Sequence, residues 1–274
     1  MRWKQFFTPV KAFTSSEAKA FMQGKDIAQY TLLDVRQPGE YESEHIPGAK
    51  LIPLPDLNDR LGEIDPHKPT IVYCAVGGRS RVAAQMLAGK GFDEVINLTG
   101  GIKAWKNEKA LGGEEQGLAL FSGKESPEEA LVIAYSLEAG LRDFYLAMAP
   151  KVQREAARKL FEKLATIEVK HQQRIYGAYI ALTDTPMSEE EFASRKVVPA
   201  MEGGLTTEEY MAIYQPDINV VEEVISLAMA IEAQALDLYQ RAARRAEMAA
   251  SQALLHQIAS EERSHLEQLG KLIG

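Results

Sequence analysis

The feature that most constrains this chain is a pattern of four residues that occurs twice. Each copy has a glutamate, a tyrosine seven positions later, a second glutamate thirty positions after the first, and a histidine three positions beyond that. The members are Glu138, Tyr145, Glu168 and His171 and, 94 positions further on, Glu232, Tyr239, Glu262 and His265. Self-similarity at a fixed offset indicates two structurally equivalent units. We therefore expect a site to which both units contribute.

Both copies fall within stretches that are predicted to be helical. Ser126 precedes a proline and stands three residues before Glu129, which is the pattern of a helix N-terminus. Asn219 and Glu222 have the same capping-box spacing. The predicted helices cover about 126–149, about 151–182, a stretch that opens at Asn219, and about 251–272.

A long polar connection, 183–217, separates the second predicted helix from the third. Within it, the pairs Ser188/Glu191 and Thr206/Glu209 repeat the capping-box spacing and predict two short helices. Two helical hairpins joined by one long crossover describe a four-helix bundle of the ferritin-like type. We therefore expect residues 126–274 to form an all-α domain of that class.

The glutamates and histidines of the pattern lie in the apolar stripes of these helices. Four carboxylates buried together would each cost several kcal/mol unless they were protonated or paired with strong positive charge, which two metal ions would supply. The Glu-x-x-His spacing places both side chains on one helix face, one turn apart. A mostly oxygen donor set with two imidazoles favours a pair of iron or manganese ions over structural zinc.

Residues 126–274 resemble the ferritin-like superfamily and, within it, the rubrerythrin and erythrin group. The resemblance implies two iron ions per bundle, with manganese as the alternative metal, and a reaction with H2O2 or O2. It implies the ligands Glu138, Glu168, His171, Glu232, Glu262 and His265. Tyr145 and Tyr239 would lie beside these ligands, where a tyrosine can hydrogen-bond a carboxylate or transfer an electron. The alternative for each tyrosine is ordinary core packing.

The chain departs from rubrerythrins in two respects. Rubrerythrins carry an additional metal-binding glutamate on the third helix, three residues beyond the first, where this chain has Ala235. They also usually carry a rubredoxin domain that delivers electrons, which the one cysteine of this chain cannot provide. The implied reduction of peroxide therefore calls for an external electron donor.

The first part of the chain has a different pattern. From Tyr30 to about Trp105, short aliphatic runs alternate with loop residues and a helical stretch, Arg79 to Ala88, which indicates an α/β domain with a small parallel sheet. Residues 109–125 are rich in glycine and charge and predict a linker. The expected organisation is an α/β domain over 1–108, this linker, and the bundle over 126–274 with its crossover.

The lone cysteine, Cys74, ends an apolar run and precedes a glycine-containing loop and a helix. The loop residues are Ala75, Val76, Gly77, Gly78, Arg79 and Ser80. Backbone N–H groups at such a junction gather around the sulfur or a bound anion, lower the thiol pKa and favour a nucleophilic thiolate. Four residues separate Cys74 from Arg79, a tighter loop than cysteine phosphatases wrap around a phosphoryl group. This favours a single sulfur atom carried as a persulfide; the alternative is an inert buried cysteine.

Five separated motifs over about residues 10–108 resemble the rhodanese family. They are Asp34-Val35-Arg36, Glu40-Tyr41, His45-Ile46-Pro47-Gly48-Ala49, the Cys74 loop, and Leu98-Thr99-Gly100-Gly101 with Trp105. The resemblance implies a rhodanese-like domain in which Cys74 accepts a sulfane sulfur and Arg79 adds positive charge to the loop. Asp34, Arg36 and His45 are expected to hold loops in place. Some rhodanese-like domains only bind or signal, so activity does not follow from the fold alone.

Composition excludes several function classes. The 31 basic and 39 acidic residues give a formal charge of −8 and a pI near 5.3, which argues against nucleic acid as a partner. A lone cysteine excludes an internal disulfide and fits a reducing compartment. No run approaches the roughly 18 apolar residues of a membrane span, and the N-terminal residues lack a signal-peptide core. We expect a cytoplasmic protein and, by analogy with other ferritin-like bundles, a homodimer.

The leading hypothesis is a sulfurtransferase fused to a di-iron domain that reduces peroxide or oxygen. Its partners would be small sulfur donors, thiol acceptors, H2O2 or O2, and an external electron donor; no flavin, haem or nucleotide is implied. The first alternative is a bundle that binds and oxidises Fe(II), with the rhodanese-like part as a sensor or docking domain. A second alternative is a structural metal bundle without turnover.

Overall fold

The computed structural model describes residues 9–23, 25, 27–106, 109–183, 187–195 and 200–273. Residues 1–8 and 107–108 of the predicted first domain, and residues 184–186 and 196–199 of the predicted crossover, lie outside the described residues. The chain divides into two compact units, Met1–Glu114 and Glu115–Gly274. None of the helices described is both long enough and apolar enough to span a bilayer.

The N-terminal unit is built on a five-stranded parallel sheet, as predicted. Its strands are β1 (Lys11–Phe13), β2 (Thr31–Asp34), β3 (Lys50–Leu51), β4 (Thr70–Tyr73) and β5 (Val95–Leu98). Their order across the sheet is β1-β5-β4-β2-β3, and every neighbouring pair is parallel. In the central pair, Thr31 is in register with Thr70 and Asp34 with Tyr73.

Helices cover both faces of this sheet. They are α1 (Ser15–Met22), α2 (Pro38–Ser43), α3 (Gly78–Gly89) and α4 (Gly101–Ala104), with 3-10 turns at Ile27–Gln29 and Leu61–Glu63. Side chains of β4 and of Cys74, which follows it, alternate between two apolar clusters. Ile71 and Tyr73 pack with residues of α1, α2 and α4, whereas Val72 and Cys74 pack with α3. Because successive strand residues point to opposite faces, an unbroken apolar run is buried on both sides.

The segment predicted as a linker, 109–125, is more ordered than its composition suggests. Ala110 pairs with His45 through two backbone hydrogen bonds of 2.9 Å in the N-terminal unit. Leu118–Leu120 form a 3-10 turn in the second unit, and Phe121 is buried there against the ring of Tyr239. The prediction of a linker relied on average composition, in which the few apolar residues that anchor the segment are outnumbered by glycines and charged residues.

The C-terminal unit is all helical. Its helices are α5 (Pro127–Met148), α6 (Glu155–Thr183), α7 (Glu189–Ala193), α8 (Thr207–Tyr214), α9 (Val221–Arg245) and α10 (Ala249–Ile273), with 3-10 turns at Ala149–Lys151 and Glu202–Gly204. α5 packs along α6 and α9 along α10, and the two hairpins meet through the α6–α9 and α5–α10 contacts. This confirms the predicted four-helix bundle with a crossover between its hairpins.

Three of the four predicted capping boxes are formed. Ser126, Ser188 and Thr206 each accept a hydrogen bond from the N–H of the glutamate three residues on. The capping box predicted at Asn219 is wrong, because Val220 is the N-cap of α9. The Asn219 amide oxygen instead accepts from the Gln153 N–H at 2.8 Å, so the turn that enters α6 occupies it.

The second predicted helix begins later than expected. Residues Ala149–Lys151 form a 3-10 turn, and α6 starts at Glu155 rather than at Lys151. Val152 is extended, with φ −86° and ψ 131°, so the chain leaves the helical path before α6 begins.

Candidate metal centre and thiol loop

The bundle brings all six predicted metal ligands into its interior. α5 carries Glu138, α6 carries Glu168 and His171, α9 carries Glu232, and α10 carries Glu262 and His265. Each of these side chains is at most 8 % exposed. The i, i+3 spacing on α6 and α10 places each Glu-x-x-His pair on the helix face that packs against the neighbouring helix.

These six residues form two equivalent triads. In the first, Glu138, Glu168 and His171 each offer a donor atom within 4.8 Å of the other two. His171 Nδ1 lies 2.8 Å from Glu168 Oε2 and 3.4 Å from Glu138 Oε2. Each triad thus joins two helices of one hairpin.

The second triad repeats this geometry in the other hairpin. Glu232, Glu262 and His265 again have donor atoms within 4.8 Å of one another. His265 Nδ1 lies 3.0 Å from Glu262 Oε2 and 3.6 Å from Glu232 Oε2. The rings of His171 and His265 stack at 3.8 Å between centroids with 3° between their planes, so the two triads form one cluster.

Burial controls the proton affinity of this cluster. Desolvation, reinforced by the neighbouring carboxylates, raises the pKa of Glu138 and Glu232 well above the ordinary value. Burial alone would lower the pKa of His265, but the carboxylates of Glu232 and Glu262 beside its ring raise that pKa to about 10. Burial alone would raise the pKa of Glu262, and the bond from His265 lowers it. The cluster therefore attracts positive charge, whether as protons or as a metal cation.

The donor atoms fit a metal centre. Among the described residues, Glu138 Oε2 and Glu232 Oε2 are buried without a hydrogen-bond partner. Buried polar atoms are rarely left unpaired, and such orphans indicate an ion or water that completes them. Carboxylate oxygens with two imidazoles are a donor set suited to iron or manganese.

A further carboxylate, Glu202, reaches the same cluster and was missed by the sequence analysis. Its side chain is 0 % exposed, and a donor atom of Glu202 lies within 4.8 Å of donors from Glu138 and Glu262. It belongs to the crossover, outside both copies of the repeat and outside any periodic apolar stripe. The one sequence signal is the Glu-Gly-Gly triplet, since two adjacent glycines in a polar connection mark a tight turn.

The two repeated tyrosines are deep in the bundle. Tyr145 is 1 % and Tyr239 0 % exposed, and neither hydroxyl has a hydrogen-bond partner among the described residues. Burial raises the pKa of both, and nearby carboxylates, including that of Glu232, raise it further. These hydroxyls therefore stay protonated and are available as donors to a neighbouring carboxylate.

In the N-terminal unit, the end of β4 presents Cys74 to a short loop. The Gly77 N–H donates to Cys74 Sγ at 3.2 Å, and the Ser80 hydroxyl lies 3.5 Å from Sγ and 2.6 Å from Asn97 Oδ1. Gly77, the N-cap of α3, has φ +97°, a left-handed conformation that glycine adopts without strain. The strand, loop and helix order predicted for this site is confirmed.

The loop favours the thiolate of Cys74. Burial on its own raises the pKa of this thiol, but hydrogen bonds from the Ser80 hydroxyl and from backbone N–H groups of the loop lower it below the ordinary value. Because the thiolate is the nucleophilic form, the group is prepared for attack. Cys74 is nonetheless only 1 % exposed, while Val76 in the same loop is 60 % exposed.

Arg79 has a partner that the sequence analysis did not assign. Its guanidinium makes two parallel hydrogen bonds of 2.7 Å with the Glu40 carboxylate of α2. This pair is the main reason that the pKa of Glu40 falls to about 2. The same ion pair raises the pKa of Arg79, and the Cys74 thiolate adds to that rise. The positive charge expected for the loop is therefore shared between Glu40 and the thiolate.

The residues expected to hold loops in place do so. Arg36 pairs with Asp34 at 2.6 Å, with both side chains buried, and also donates to the Glu44 carbonyl. The His45 ring is buried and stacks on Tyr41 at 3.7 Å. These contacts fix the loop after β2, and Tyr41 packs in the apolar cluster on the sheet face opposite to α3.

A second turn supports the Cys74 backbone. The Ile102 N–H donates to the Cys74 carbonyl at 2.9 Å, and the Lys103 N–H donates to the Ala75 carbonyl at 3.2 Å. Gly101 has φ +57°, and a Cβ at this position would collide with the Cys74 carbonyl oxygen. Only glycine allows α4 to begin this close to the thiol loop.

Comparison with known sequences finds relatives that match about a third of the chain. YqhL of Bacillus subtilis is 45% identical over 96 residues, which are 35% of this chain and 72% of the relative. The thiosulfate sulfurtransferase GlpE of Coxiella burnetii is 36% identical over 96 residues, 35% of this chain and 87% of that protein. Rhodanese-like/PpiC domain-containing protein 12 of Arabidopsis thaliana is 42% identical over 107 residues, and the chain spans 34% of its length.

Solved structures and family profiles extend the comparison. A rhodanese-like domain protein from Staphylococcus aureus is 29% identical, with a TM-score of 0.35, 38% of this chain covered and 100% of that chain covered. The profile described as rhodanese-like domain matches residues 14–108, and the profile described as rubrerythrin matches residues 129–273. The chain, more than half of which the second profile covers, belongs to the rubrerythrin family and carries a rhodanese-like domain before its bundle.

Proposed function

We propose that this protein combines a persulfide-forming sulfurtransferase site at Cys74 with a di-iron centre that reduces H2O2 or O2. The observation that carries the bundle's part is the pair of buried Glu, Glu, His triads with unpartnered carboxylate oxygens. The rhodanese-like profile and the lowered pKa of Cys74 support the other part.

At the thiol loop, the Cys74 thiolate attacks the sulfane sulfur of a donor such as thiosulfate. The new bond joins Sγ to the transferred sulfur while the donor's S–S bond breaks, and sulfite leaves with the bonding electron pair. The Gly77 N–H and the Ser80 hydroxyl stabilise the negative charge of the sulfur. A thiolate acceptor then attacks the outer sulfur and restores the Cys74 thiolate. The similarity to GlpE, whose name records thiosulfate as donor, supports this choice of donor.

In the bundle, Glu138, Glu168 and His171 would hold one iron and Glu232, Glu262 and His265 the other. When bound, this pair of iron ions supplies the two-electron redox chemistry needed to reduce peroxide or oxygen. The protein side chains keep water out and set the position of each carboxylate. The Tyr145 and Tyr239 hydroxyls, which have no hydrogen-bond partner among the described residues, would be available as donors to neighbouring carboxylates.

Anaerobic loading with Fe(II) tests the bundle's part of the proposal. We expect two irons per chain that oxidise rapidly on addition of one equivalent of H2O2, with both signals lost in Glu168→Ala/Glu262→Ala. The matched control, Glu162→Ala/Glu267→Ala, removes exposed glutamates from the same two helices and should leave both signals intact. Two metals that ignore peroxide would contradict the redox function, and iron turnover beyond two per chain would indicate the iron-oxidising alternative instead.

A homodimer and a cytoplasmic location belong to the proposal as predictions. Sedimentation equilibrium of the iron-loaded protein tests the first, and a mass of one chain would contradict it. Fractionation of cells that express the native protein tests the second.

A further inference from the structure

Glu202 occupies a place that is costly for a carboxylate. Its side chain is completely buried, and neither of its oxygens has a hydrogen-bond partner among the described residues. The groups nearest to it are other buried acids, because its donor atom lies within 4.8 Å of donors from Glu138 and Glu262. A buried negative group among like charges destabilises a fold unless a cation joins it.

The backbone that carries Glu202 is built to reach this place. Gly203 and Gly204 have φ values of +76° and +78°, and a Cβ on Gly203 would collide with the Tyr210 hydroxyl and with Gln234 of α9. The Tyr210 hydroxyl donates to the Glu202 carbonyl at 2.7 Å, which ties the turn to α8. Two consecutive residues in the left-handed conformation and the hydrogen bond from the buried Tyr210 indicate a turn with one fixed position inside the bundle.

A glycine of α5 leaves room for the same stretch of the crossover. Gly140 of α5 lies two residues after Glu138, and a Cβ at this position would collide with the Ala200 carbonyl oxygen. Gly140 and Gln234 are equivalent positions of the repeat, since they stand 94 residues apart. The crossover therefore passes between matching positions of α5 and α9 and brings Glu202 to acids from both hairpins.

We infer that Glu202 is a seventh protein ligand of the metal centre, supplied by the crossover and shared between acids of the two hairpins. The inference rests on the proposed metal centre and adds a ligand that the repeat does not contain. It makes the crossover part of the binding site, so that metal loading fixes the Glu202–Gly204 turn as well as the four long helices.

A ligand role gives Glu202 opposite effects in the two forms of the protein. Without metal, Glu202→Gln replaces an ionisable carboxyl that is buried among other acids with a neutral amide of similar size, so the bundle should be as stable as wild type or more stable. With metal, the same substitution removes a ligand, so the gain in melting temperature on loading should shrink. A residue with only a packing role would change both forms in the same direction.

The test is an anaerobic Fe(II) titration of the full chain, with bound iron measured by equilibrium dialysis and bundle melting followed by far-UV circular dichroism before and after loading. For Glu202→Gln we expect the Fe(II) dissociation constant to rise ~10- to 100-fold. The matched control is Glu208→Gln, an exposed glutamate of the same crossover, which should behave as wild type.

Wild-type Fe(II) affinity and a wild-type loading shift in Glu202→Gln would overturn the inference. That result would leave the metal centre intact, whereas failure of the wild-type protein to bind Fe(II) would remove the centre and the inference together. If Glu202→Gln does not fold, Glu202→Asp decides, because it keeps the charge but withdraws the oxygens by one methylene. We expect weakened Fe(II) binding in Glu202→Asp, and unchanged binding would contradict a ligand role.

Discussion

The two candidate sites hold negative charge by opposite means. Around Cys74, one sulfur is surrounded by donors, chiefly backbone N–H groups of a short loop and the Ser80 hydroxyl. In the bundle, five carboxylates crowd together with two histidines, and the surplus charge is negative. The donors of the thiol loop stabilise the negative sulfur without any added ion. The carboxylates of the bundle, in contrast, require protons or metal cations to balance their charge.

This difference determines which substitutions impair each site. A site made of backbone donors depends on the path of the chain, so glycine positions matter more than side-chain charges. A site made of side chains on long helices depends on which charges are present, and the helices that carry them keep their packing. Substitutions and changes of pH at the two sites test that contrast.

The largest effect should come from Cys74→Ser. Loss of the nucleophile should reduce sulfur transfer from thiosulfate to a thiol acceptor on the order of 10³-fold or more. Fe(II) binding by the bundle should be unchanged, because no side chain of the thiol loop belongs to the metal cluster. Sulfite release gives the first quantity and equilibrium dialysis the second. Reduced iron binding in Cys74→Ser would show that the two sites are not independent of each other.

A smaller loss should follow from Gly101→Ala. The new Cβ would collide with the Cys74 carbonyl oxygen, and φ +57° is strained for alanine, so the nucleophile should shift. We expect sulfur transfer to fall on the order of 10²-fold while Cys74 can still be alkylated. Gly62→Ala is the control, since a Cβ there meets nothing within 4 Å. Full activity in Gly101→Ala would show that the backbone path does not govern this site.

The stability of the metal-free bundle should fall as pH rises. The folded pKa of His265 is raised to about 10 from an ordinary 6.5, so its contribution is fully present below about pH 6.5 and is lost as pH rises through 10. The raised pKa values of Glu138 and Glu232 act in the same direction. We expect a loss of about 4 kcal/mol from His265 between pH 6.5 and 10.

Urea unfolding with EDTA, followed by far-UV circular dichroism, measures this loss in the bundle. His265→Gln should flatten the dependence on pH. The thiol loop should show the opposite sign, since a lowered thiol pKa adds stability as pH rises past the folded value. Fluorescence of Trp105 follows that unit, because both tryptophans precede the bundle. Equal slopes for the two units would contradict the contrast in how they hold charge.

The smallest effect should come from Glu40→Gln. The ion pair between Arg79 and Glu40 is about a third exposed on each side, so its removal changes little stability. The freed guanidinium should attract an anionic sulfur donor and raise kcat/KM for thiosulfate about 3-fold at low salt, with the gain lost at high salt. Glu42→Gln, an exposed position on the same helix, is the control. A fall in kcat/KM would show that Glu40 positions Arg79 for catalysis.

Local and periodic signals predicted most of what the structure contains. The repeat located both triads because helical spacing alone brings Glu168 to His171 and Glu262 to His265. The motif around Cys74 located the thiol loop because a strand, two glycines and a helix fix their own geometry. Glu202 was not predicted, because its position depends on how the crossover packs between α5 and α9. The crossover has no periodic pattern of apolar residues that would show this packing.

Other differences have the same origin. The Arg79 to Glu40 pair joins residues 39 positions apart, and no local pattern shows which acid a cation will meet. Asn219 has the right spacing for a cap, yet its amide oxygen is taken by the Gln153 N–H across the bundle. Tertiary contacts decided each of these cases, and they override propensity wherever a polar side chain has two possible partners.

The strand order has a consequence for where the thiol can lie. From β2 the chain moves outward to β3 through α2, and from β4 it moves the other way to β5 through α3. The two connections leave opposite faces of the sheet, so the carboxyl ends of β2 and β4 form a topological switch point. Cys74 lies at this point, and the ion pair between Glu40 of α2 and Arg79 of α3 joins the two connections beside it. The location of the thiol is therefore set by the winding of the sheet, that is, by connections that leave neighbouring strands on opposite faces.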